Sequence, residues 1–396
     1  MANVSSSNGL EKRPKLRFPG FDEPWSIYKA EELFKNVADK NHPMETVLTI
    51  IQGKGTLPRE QAGRNIHYDD ASLANYKKVE QGDFIIHLRS FEGGLEMANE
   101  DGIVSPAYTI LRCMKPHSSL FYEAYFHTDE FINHILSKSV EGIRDGRQIS
   151  YEAFKWLGLP YCDLSEQERI AQLFCTLSHR IEKQQQMVDA LKKYKRGLFN
   201  QIFSAISKSS QCRKLRELVR VSGGKTPSMS NSLYWNGDIV WISSKDMKSS
   251  RISGSELKIT NLALNEMTLY HPGTLLLVAR SGILKHSLPL AILEVDATIN
   301  QDIKALQVHG CNAFYLYYAI LSQEDTIIRT LVKTGTTVQS LMMDSFLNIE
   351  IPTPDIDQQQ RIIDKLAKLE KYVEVQEKEL SLLSQMRNGL LQQLFI

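Results

Sequence analysis

The chain has 396 residues, of which 42% are hydrophobic, and a formal net charge of +1 at neutral pH. That length exceeds what one ordinary hydrophobic core supports and suits two domains with connecting helices. The polar, basic first segment has no apolar stretch typical of a secretory signal, and the longest apolar runs are too short to cross a bilayer. We therefore expect a cytoplasmic protein with no membrane segment.

Charge and cysteine content indicate which ligands the protein is expected to bind. A net charge of +1 is low for a protein that binds nucleic acid, and residues 21–160 are acidic overall. If the chain binds DNA, its basic residues have to be concentrated on one face or supplemented by partner subunits. The five cysteines are scattered and lack any CxxC pair, so reduced thiols are expected and a metal site is not.

A first globular segment is predicted at residues 21–160, after a polar, basic tail at residues 1–20. The apolar run at residues 83–88 indicates a buried strand, and Arg89 and Ser90 come directly after it. Residues 121–136 carry aromatic side chains at helical spacing and predict one amphipathic helix. The segment is therefore a mixture of strands and helices.

A long helix is predicted next, at residues 161–206. Its apolar residues alternate in steps of four and three, which is the seam of a coiled coil. Ser165, with Glu168 three residues later, fits a capping box at its start. Gln184 and Lys195 interrupt the seam, whose apolar positions are Ile170, Phe174, Leu177, Ile181, Val188, Leu191, Leu198 and Ile202.

A second globular segment, at residues 207–353, repeats the order of the first. Residues 273–278 predict a buried strand, and Arg280 and Ser281 follow it as Arg89 and Ser90 follow the earlier one. Residues 314–321 begin the matching aromatic helix. The chain therefore reads as a tandem of globular segment plus long helix.

A second long helix, predicted at residues 354–396, repeats the first one 192 positions later without a gap. Asp357 with Gln360 fits the corresponding cap, and the repeated glycines Gly197 and Gly389 suggest a close approach of helices. Other identical pairs are Pro160/Pro352, Asp163/Asp355, Gln167/Gln359 and Phe203/Phe395. The apolar seam positions are Ile362, Leu366, Leu369, Val373, Leu380, Leu383, Leu390 and Leu394.

Two helices with one seam pattern favour a coiled coil between them. Exposed charge pairs along such helices contribute only about 0.5 kcal/mol or less each, so the apolar seam decides the pairing. The alternative is that each helix packs against its own globular neighbour.

The search for catalytic signatures finds nothing specific. Residues 222–226 resemble a phosphate-binding loop, but the Walker pattern needs a glycine where Val219 stands. No GxGxxG motif follows a predicted strand, no His/Glu metal spacing is present, and no adenine-methyltransferase pocket motif occurs. We therefore expect a protein that is not an enzyme and has no metal site of its own.

Taken in order, the motifs resemble those of the specificity (S) subunits of type I restriction-modification enzymes, over nearly the whole chain. The resemblance is carried by residues 16–21 with Trp25, by residues 222–227 and 234–241, and by the two helix entries at 160–170 and 352–362. The first segment departs from the pattern, since it carries residues 53–58 in place of its own Ser-Gly-Gly-Lys-Thr-Pro stretch.

The resemblance implies an α/β (α+β) fold class. Two similar mixed α/β target recognition domains, at residues 21–160 and 207–353, would be separated by two long helices in an antiparallel coiled coil, as a pseudo-two-fold tandem repeat. The chain would be the non-catalytic subunit that recognises a bipartite target in double-stranded DNA. Two methylation (M) and two restriction (R) subunits would be its partners, and S-adenosylmethionine, ATP and Mg would belong to them.

Candidate DNA contacts follow from the chemistry of the grooves. Arginine suits guanine, glutamine suits adenine, and lysine suits phosphate, and binding residues tend to lie in loops. The candidates are Arg89, Ser90, Arg144, Arg147 and Gln148 in the first domain, and Lys225, Thr226, Lys245, Arg280, Lys285, His286, Thr336 and Gln339 in the second. The main alternative is a coiled-coil adaptor or scaffold that recruits proteins without reading DNA, and a nuclease-methyltransferase in its own right is more distant.

Overall fold

The fold is taken from a computed structural model of the chain, which describes residues 11–61, 70–86, 95–139, 149–333 and 338–395. These residues form two compact units. Unit 1 comprises residues 1–185 and 378–396, and unit 2 comprises residues 186–377. Each long helix is thus shared, with one part in each unit, whereas the sequence-based division gave the helices segments of their own.

Unit 1 contains short strands and helices followed by the first long helix. Its strands are β1 (Glu11–Lys12), β2 (Trp25–Lys29), β3 (Phe34–Val37), β4 (Leu48–Ile51), β5 (Gly55–Pro58), β6 (Lys77–Val79), β7 (Phe84–Ile86), β8 (Glu96–Met97), β9 (Gly102–Val104), β10 (Thr109–Cys113) and β11 (Gly158–Tyr161). Its helices are α1 (Ala30–Leu33), α2 (Ser119–Phe126), α3 (Tyr151–Phe154) and the start of α4 (Leu164–Ser209).

Unit 2 repeats this composition. Its strands are β12 (Cys212–Lys214), β13 (Val219–Gly223), β14 (Trp235–Ile242), β15 (Arg251–Ile252), β16 (Leu257–Ile259), β17 (Leu275–Val278), β18 (Leu290–Leu293), β19 (Ala297–Ile299), β20 (Ile303–Val308), β21 (Val332–Lys333), β22 (Ser340–Leu341) and β23 (Glu350–Pro352). Its helices are α5 (Asn261–Leu264), α6 (Ala313–Leu321), α7 (Glu324–Leu331), α8 (Met343–Phe346) and the start of α9 (Ile356–Phe395).

The main sheets of the two units share the arrangement of four strands, to which unit 2 adds β15. In unit 1 the strand order is β3-β10-β7-β8, and in unit 2 it is β13-β20-β17-β18-β15. In both sheets the strand formed by the predicted apolar run, β7 or β17, lies antiparallel to the strand that precedes the aromatic helix, β10 or β20. The sequence repeat therefore extends from the long helices into the sheets.

The core of unit 1 is built on aromatic side chains. Phe121 of α2 contacts Trp25 of β2, with ring centroids 5.7 Å apart, and Phe395 at the end of α9, at 5.2 Å. Phe174 of α4 stacks on Phe395 at 6.1 Å. The beginning of α4 and the end of α9 are thus part of this domain core, and their contact buries apolar surface that the domain alone would expose.

The core of unit 2 repeats the arrangement with the other two helix ends. Phe199 of α4 packs edge-on against Tyr318 of α6 at 5.5 Å, and Phe203 lies 5.7 Å from Tyr315. Ile362 and Leu366 near the start of α9 are buried in the same cluster. Helix-to-helix pairing and packing on a globular neighbour are therefore not alternatives, because the same residues do both.

The two long helices run antiparallel where they pair. Within unit 2, Lys192 of α4 bonds to Glu377 at 2.6 Å, and Lys195, farther along α4, bonds to Glu370, farther back along α9, at 2.7 Å. Lys195 is one of the polar interruptions of the seam. Its ammonium group is satisfied by Glu370, whose carboxylate also accepts a hydrogen bond from Tyr318.

The predicted seam residues all lie in buried or half-buried positions. The most buried are Ile170, Phe174, Leu177 and Val188 on α4, and Ile362, Leu366, Val373 and Leu394 on α9. The polar seam residue Gln184 is buried as well. The predicted seam did not include Phe199, Phe203, Ile206, Leu391 and Phe395. These residues lie beside the seam on the two helices and face the globular cores.

Both helix caps differ from the sequence prediction. Helix α4 begins at Leu164, and the Asp163 carboxylate accepts a hydrogen bond from the backbone amide of Ser165 at 2.8 Å. Helix α9 begins at Ile356, and Asp355 accepts from the amide of Gln358 at 2.7 Å. The N-terminal caps are thus Asp163 and Asp355, not Ser165 and Asp357. An aspartate caps a helix as well as a serine does, and each of these two lies just before the first helical residue.

The single helix predicted at residues 121–136 is in fact two. Helix α2 ends at Phe126, and a π-helix occupies Glu130–Ile135. Thr128, which is buried, donates its hydroxyl hydrogen to the Tyr125 carbonyl at 2.7 Å and accepts from the Phe131 amide at 3.1 Å. A threonine side chain that bonds to the local backbone competes with the helical ladder, which explains the break.

The repeated glycines do not mark a close approach between α4 and α9. A methyl group built on Gly197 or on Gly389 would meet nothing within 4 Å. Both positions therefore face open space in this chain, and the expectation of close helix approach at them was wrong. Their recurrence needs another explanation.

A buried glutamine links each long helix to its aromatic helix, and this accounts for one of the repeated identities. Gln167, with no exposed surface, accepts a hydrogen bond from the Ser118 amide at 3.1 Å and donates to the Cys162 carbonyl at 2.9 Å. Gln359 makes the same pair of bonds, to the Asn312 amide and the Pro354 carbonyl, both at 2.9 Å. Among the described residues, each glutamine is thereby the hydrogen-bond partner of one backbone amide and one backbone carbonyl at these turns.

Candidate nucleic-acid interface

In unit 2 the strand ends bring several polar loops to one edge. β14 and β19 are parallel neighbours, so their carboxyl ends lie side by side. β13 and β17 both lie antiparallel to β20, so their carboxyl ends meet the start of β20 at that same edge. The loops at residues 224–228, 243–250, 279–287 and 300–302 all leave the sheets there. We call this edge the loop surface.

The turn at residues 299–302 holds the loop surface together. The Ile299 carbonyl accepts from the Lys225 amide at 3.0 Å, and the Asp302 carbonyl accepts from the amides of Ala279 at 2.8 Å and Arg280 at 3.3 Å. The amide of Asn300 donates to the carbonyl of Ile242, at the end of β14, at 2.9 Å. One short turn therefore fixes the starts of three loops.

Gly224 explains why the glycine-rich motif belongs here. A methyl group on Gly224 would lie 2.0 Å from the Ile299 carbonyl oxygen and 2.4 Å from that of Asn300. No real side chain tolerates such distances, so only glycine lets residues 223–226 lie against the turn. The motif that resembled a phosphate-binding loop thus allows close packing against the turn, and this packing places Lys225 and Thr226 on the loop surface.

The described candidates of the second domain all lie on this surface. Lys225, Thr226, Lys245, Arg280, Lys285 and His286 are exposed, and Gln339 is half-buried. The Gln339 carbonyl accepts from the Ser281 amide at 3.0 Å, which joins the segment around residue 339 to the loop after β17. The short 3-10 helix Gly282–Lys285 continues that loop, so Lys285 and His286 follow Arg280 five and six positions later.

The cations here are available for a ligand. With the residues that the structure describes, the side chains of Lys225, Arg280 and Lys285 form no hydrogen bond or ion pair. Positive charges that are exposed and unneutralised raise the local potential and attract phosphate. The surface can therefore supply both phosphate contacts and the guanidinium that suits guanine.

Lys245 occupies a different part of the surface. It lines a cleft of about 1010 Å³ together with Lys248 and with Arg196 of α4. Two ion pairs between α4 and α9, Lys192–Glu377 and Lys195–Glu370, line the same cleft. Asp246 orders this loop by accepting hydrogen bonds from the amides of Ser243 and Glu256. The sequence suggested neither this cleft nor Arg196, because both depend on the packing of α4 beside the domain.

The remaining candidates lie outside the described residues. These are Arg89, Ser90, Arg144, Arg147 and Gln148 of the first domain and Thr336 of the second. In sequence, Arg89 and Ser90 follow β7 as Arg280 and Ser281 follow β17. They remain predictions.

Gln301 is a site residue that the sequence analysis missed. It is exposed at the tip of the 299–302 turn, and its side-chain carbonyl accepts a hydrogen bond from the Thr226 hydroxyl at 2.5 Å. The available signal was a run of polar residues, 300–302, between two buried strands. Such a short turn gives no indication by itself that three other loops converge on it.

In unit 1 a buried ionic pair lies beside α2. Glu96 accepts hydrogen bonds from the amides of Gly53 at 2.7 Å and Gly55 at 3.0 Å, and its carboxylate lies 3.8 Å from Nε2 of His127. Burial opposes ionisation of Glu96, but His127 and the two amides prevail and lower its pKa. Burial likewise opposes protonation of His127, but the charge of Glu96 and the Glu123 carbonyl raise its pKa overall.

The motif at residues 16–25 has a structural role in unit 1. Arg17 forms two bonds to the buried carboxylate of Glu166, at 2.9 and 2.7 Å, and Trp25 donates its indole hydrogen to the same carboxylate at 2.9 Å. The Leu16 amide donates to the Gln393 carbonyl at 2.9 Å. The segment thereby ties the start of α4 and the end of α9 to the domain.

Searches for other kinds of site gave negative results over the described part of the chain. No group of three or more His, Cys, Asp or Glu side chains is placed to hold a metal ion among those residues. No helix in the same ranges is both long and apolar enough to cross a membrane.

Comparison with known sequences identifies relatives. Residues 207–385 match the family model described as type I restriction modification DNA specificity domain. The chain is 32% identical over 252 residues to the type I restriction enzyme EcoR124I/EcoR124II specificity subunit of Escherichia coli, covering 61% of this chain and 62% of the relative. It is 30% identical over 197 residues to the MjaIX specificity subunit of Methanocaldococcus jannaschii, covering 48% and 45%. Both matches span less than two thirds of the relative's length.

Solved structures share the fold over almost the whole chain. The type I restriction-modification S subunit from M. genitalium superposes with a TM-score of 0.61 at 15% identity, covering 97% of this chain and 99% of that one. A chain from a structure on complex assembly and conformational transition of the type I R-M system gives 0.56 at 16% identity, covering 94% and 97%. At these identities the likeness shows the fold alone.

The repeated α/β units, each sharing parts of two long antiparallel helices, have the architecture of S subunits. The expected fold class is thereby confirmed. The resemblance to specificity subunits of type I restriction-modification enzymes, which the order of the motifs indicated, is confirmed: residues 207–385 match the DNA specificity domain model, and both relatives by sequence are specificity subunits.

Proposed function

We propose that this chain is the DNA-recognition subunit of a type I restriction-modification complex and reads one half of a bipartite target with each globular domain. The loop surface of unit 2 is the observation that carries the proposal. It combines exposed cations, which form no ion pair with the described residues, with polar side chains on a turn held by backbone hydrogen bonds. Cations position a duplex through its phosphates, and fixed polar groups read the edges of the bases.

The chain itself would have no catalytic activity. It would direct methylation and restriction subunits to the target, and S-adenosylmethionine, ATP and Mg would be bound by those subunits. The whole assembly would work on cytoplasmic DNA. A scaffold that does not read DNA explains the helices equally well, but it gives no reason for free cations to converge around a rigid turn.

The outward faces of the helices support docking of two copies of one partner. In unit 1, Leu382 and Met386 of α9 are exposed beside Gly389, and Met386 has 46% of its surface free. In unit 2, Tyr194 of α4 is exposed one turn before Gly197, with 59% of its surface free, and Met187 is exposed two turns before Tyr194. Met386 and Tyr194, like the two glycines, are equivalent in the repeat.

Glycines recur at these positions although a methyl group there would meet none of the described residues within 4 Å. A mid-helix glycine costs about 1 kcal/mol relative to alanine, so its repetition needs a compensating role. Close approach of an outside helix is such a role, since a missing side chain lets two helix backbones come together. Two patches that each combine a glycine with exposed apolar side chains would bind two methylation subunits.

Arg280 offers a direct test of DNA reading. In a complex with a methylation subunit, target selection from randomised duplexes gives a preferred bipartite site. If Arg280 reads guanine, Arg280→Ala relaxes the preference at one base pair by about 1 to 3 kcal/mol and leaves the other half-site unchanged. If it contacts phosphate, affinity falls for every sequence alike.

Salt dependence and a control substitution complete the experiment. Affinity for the bipartite duplex should fall with rising salt, and a scrambled duplex should bind much more weakly. Arg220, exposed on β13 and away from the loops, provides a matched arginine, so Arg220→Ala should leave the selected site intact. Equal binding of bipartite and scrambled duplexes by the wild-type complex would favour the scaffold instead.

A further inference from the structure

Gln301 stands out among the side chains of the loop surface because its backbone and its side chain are both held in place. The backbone is fixed on either side. The Asn300 side chain, which is buried, accepts a hydrogen bond from the Asp302 amide at 3.1 Å, and the Ile299 carbonyl accepts from the Lys225 amide. Gly224 packs against the same carbonyl, so closely that no side chain would fit between them.

The side chain is held by a single contact. The Thr226 hydroxyl donates to the Gln301 carbonyl oxygen at 2.5 Å, so the oxygen has one bond and a free lone pair. With the described residues, the amide nitrogen of Gln301 forms no hydrogen bond. The side chain thus presents one acceptor site and two donor hydrogens to solvent, in an orientation that Thr226 sets.

The acceptor and the donors of the Gln301 amide match the hydrogen-bonding groups of adenine. In the major groove adenine offers an acceptor at N7 beside a donor at N6, and a glutamine amide matches both with one group. Holding a glutamine in place reduces the side-chain rotamer entropy that binding would otherwise cost. A phosphate would use only the donor and would gain nothing from the fixed oxygen.

We propose that Gln301 is a specificity-determining residue that reads an adenine in the half-site of the second domain, and that Thr226 is a positioning residue that orients it. The inference rests on the proposed DNA-recognition function. It changes the role predicted for Thr226, which would act through Gln301 and not through a DNA contact of its own.

The test compares variants in the complex with a methylation subunit, by selection from randomised duplexes. Gln301→Ala is expected to lose discrimination for adenine at one base pair by roughly 5- to 150-fold, while the other positions keep their preference. Thr226→Val, which keeps the shape but lacks the hydroxyl, is expected to weaken the preference at the same base pair. Thr226→Ser retains the hydroxyl and is expected to restore it.

Thermal unfolding of the variants controls for folding, because both side chains are exposed and their loss should leave the midpoint unchanged. The inference is overturned if Gln301→Ala lowers affinity for all sequences alike, or leaves the selected site unaltered, or if Thr226→Val affects a different base pair. A wild-type complex with no sequence preference would instead overturn the proposed function. These two failures are therefore distinguishable.

Discussion

Gly197 and Gly389 provide a prediction in which stability and assembly change in opposite directions. An added methyl group meets nothing within 4 Å at either position. Alanine should therefore stabilise each helix by about 0.8 to 1 kcal/mol, which is the difference in helix propensity. For domains of this size that corresponds to a rise in Tm of about 2 to 4 °C per substitution.

Larger side chains separate the two effects. Gly197→Leu and Gly389→Leu should also leave the isolated chain at least as stable as wild type, since the positions face open space. If a methylation subunit approaches closely there, leucine would occupy the space its helix needs, and binding should weaken by tenfold or more, about 1.4 kcal/mol. Thermal unfolding of the isolated chain and titration with the partner measure the two effects.

Asn388→Leu is the matched control, because Asn388 is exposed and lies about a quarter turn around α9 from Gly389. It should leave partner binding near wild type. Two results would refute the reasoning. A lower Tm for the alanine variants would mean that the glycines contact something in the folded chain, and unchanged partner binding by the leucine variants would mean that this face is not the docking surface.

Two further predictions concern stability. Gln167→Ala and Gln359→Ala should each lower the free energy of unfolding by about 2 to 4 kcal/mol, because each leaves a backbone amide and a carbonyl unsatisfied. The control Gln360→Ala removes an exposed side chain and should cost about 0.5 kcal/mol or less. Equal losses for all three variants would argue against the buried hydrogen bonds. His127→Gln should lower Tm most below about pH 6.5, where the histidine is charged in both the folded and the unfolded chain. This decrease in Tm should become smaller as the pH rises through the raised pKa of His127. A decrease that grows with pH would contradict the ionic pair with Glu96.

Much of the architecture could be predicted because it is periodic and repeated. The seam residues of α4 and α9 follow from steps of four and three, and the strands at Phe84–Ile86 and Leu275–Val278 follow from short apolar runs. The caps were misplaced by two residues because Asp163, Ser165 and Asp357 are all acceptable capping residues. Only the geometry of the turn decides among such neighbours.

The site was harder to predict because it depends on contacts between distant segments. Lys225 and Arg280 could be named as candidates from the sequence because they follow apolar runs. Gln301 was missed because its importance comes from Thr226, and the two are far apart in the sequence. The break after α2 was missed because Thr128 keeps a helix-compatible pattern while its hydroxyl bonds to the backbone.

The central claim is that the second domain reads its half of the target on its own. Replacing residues 213–350 with the equivalent segment of a related S subunit, and mapping methylated adenines in DNA exposed to the complex, tests this claim directly. The account predicts that one half of the bipartite site changes and the other half stays the same. Simultaneous change of both halves, or an unaltered site in a folded and active complex, would contradict it.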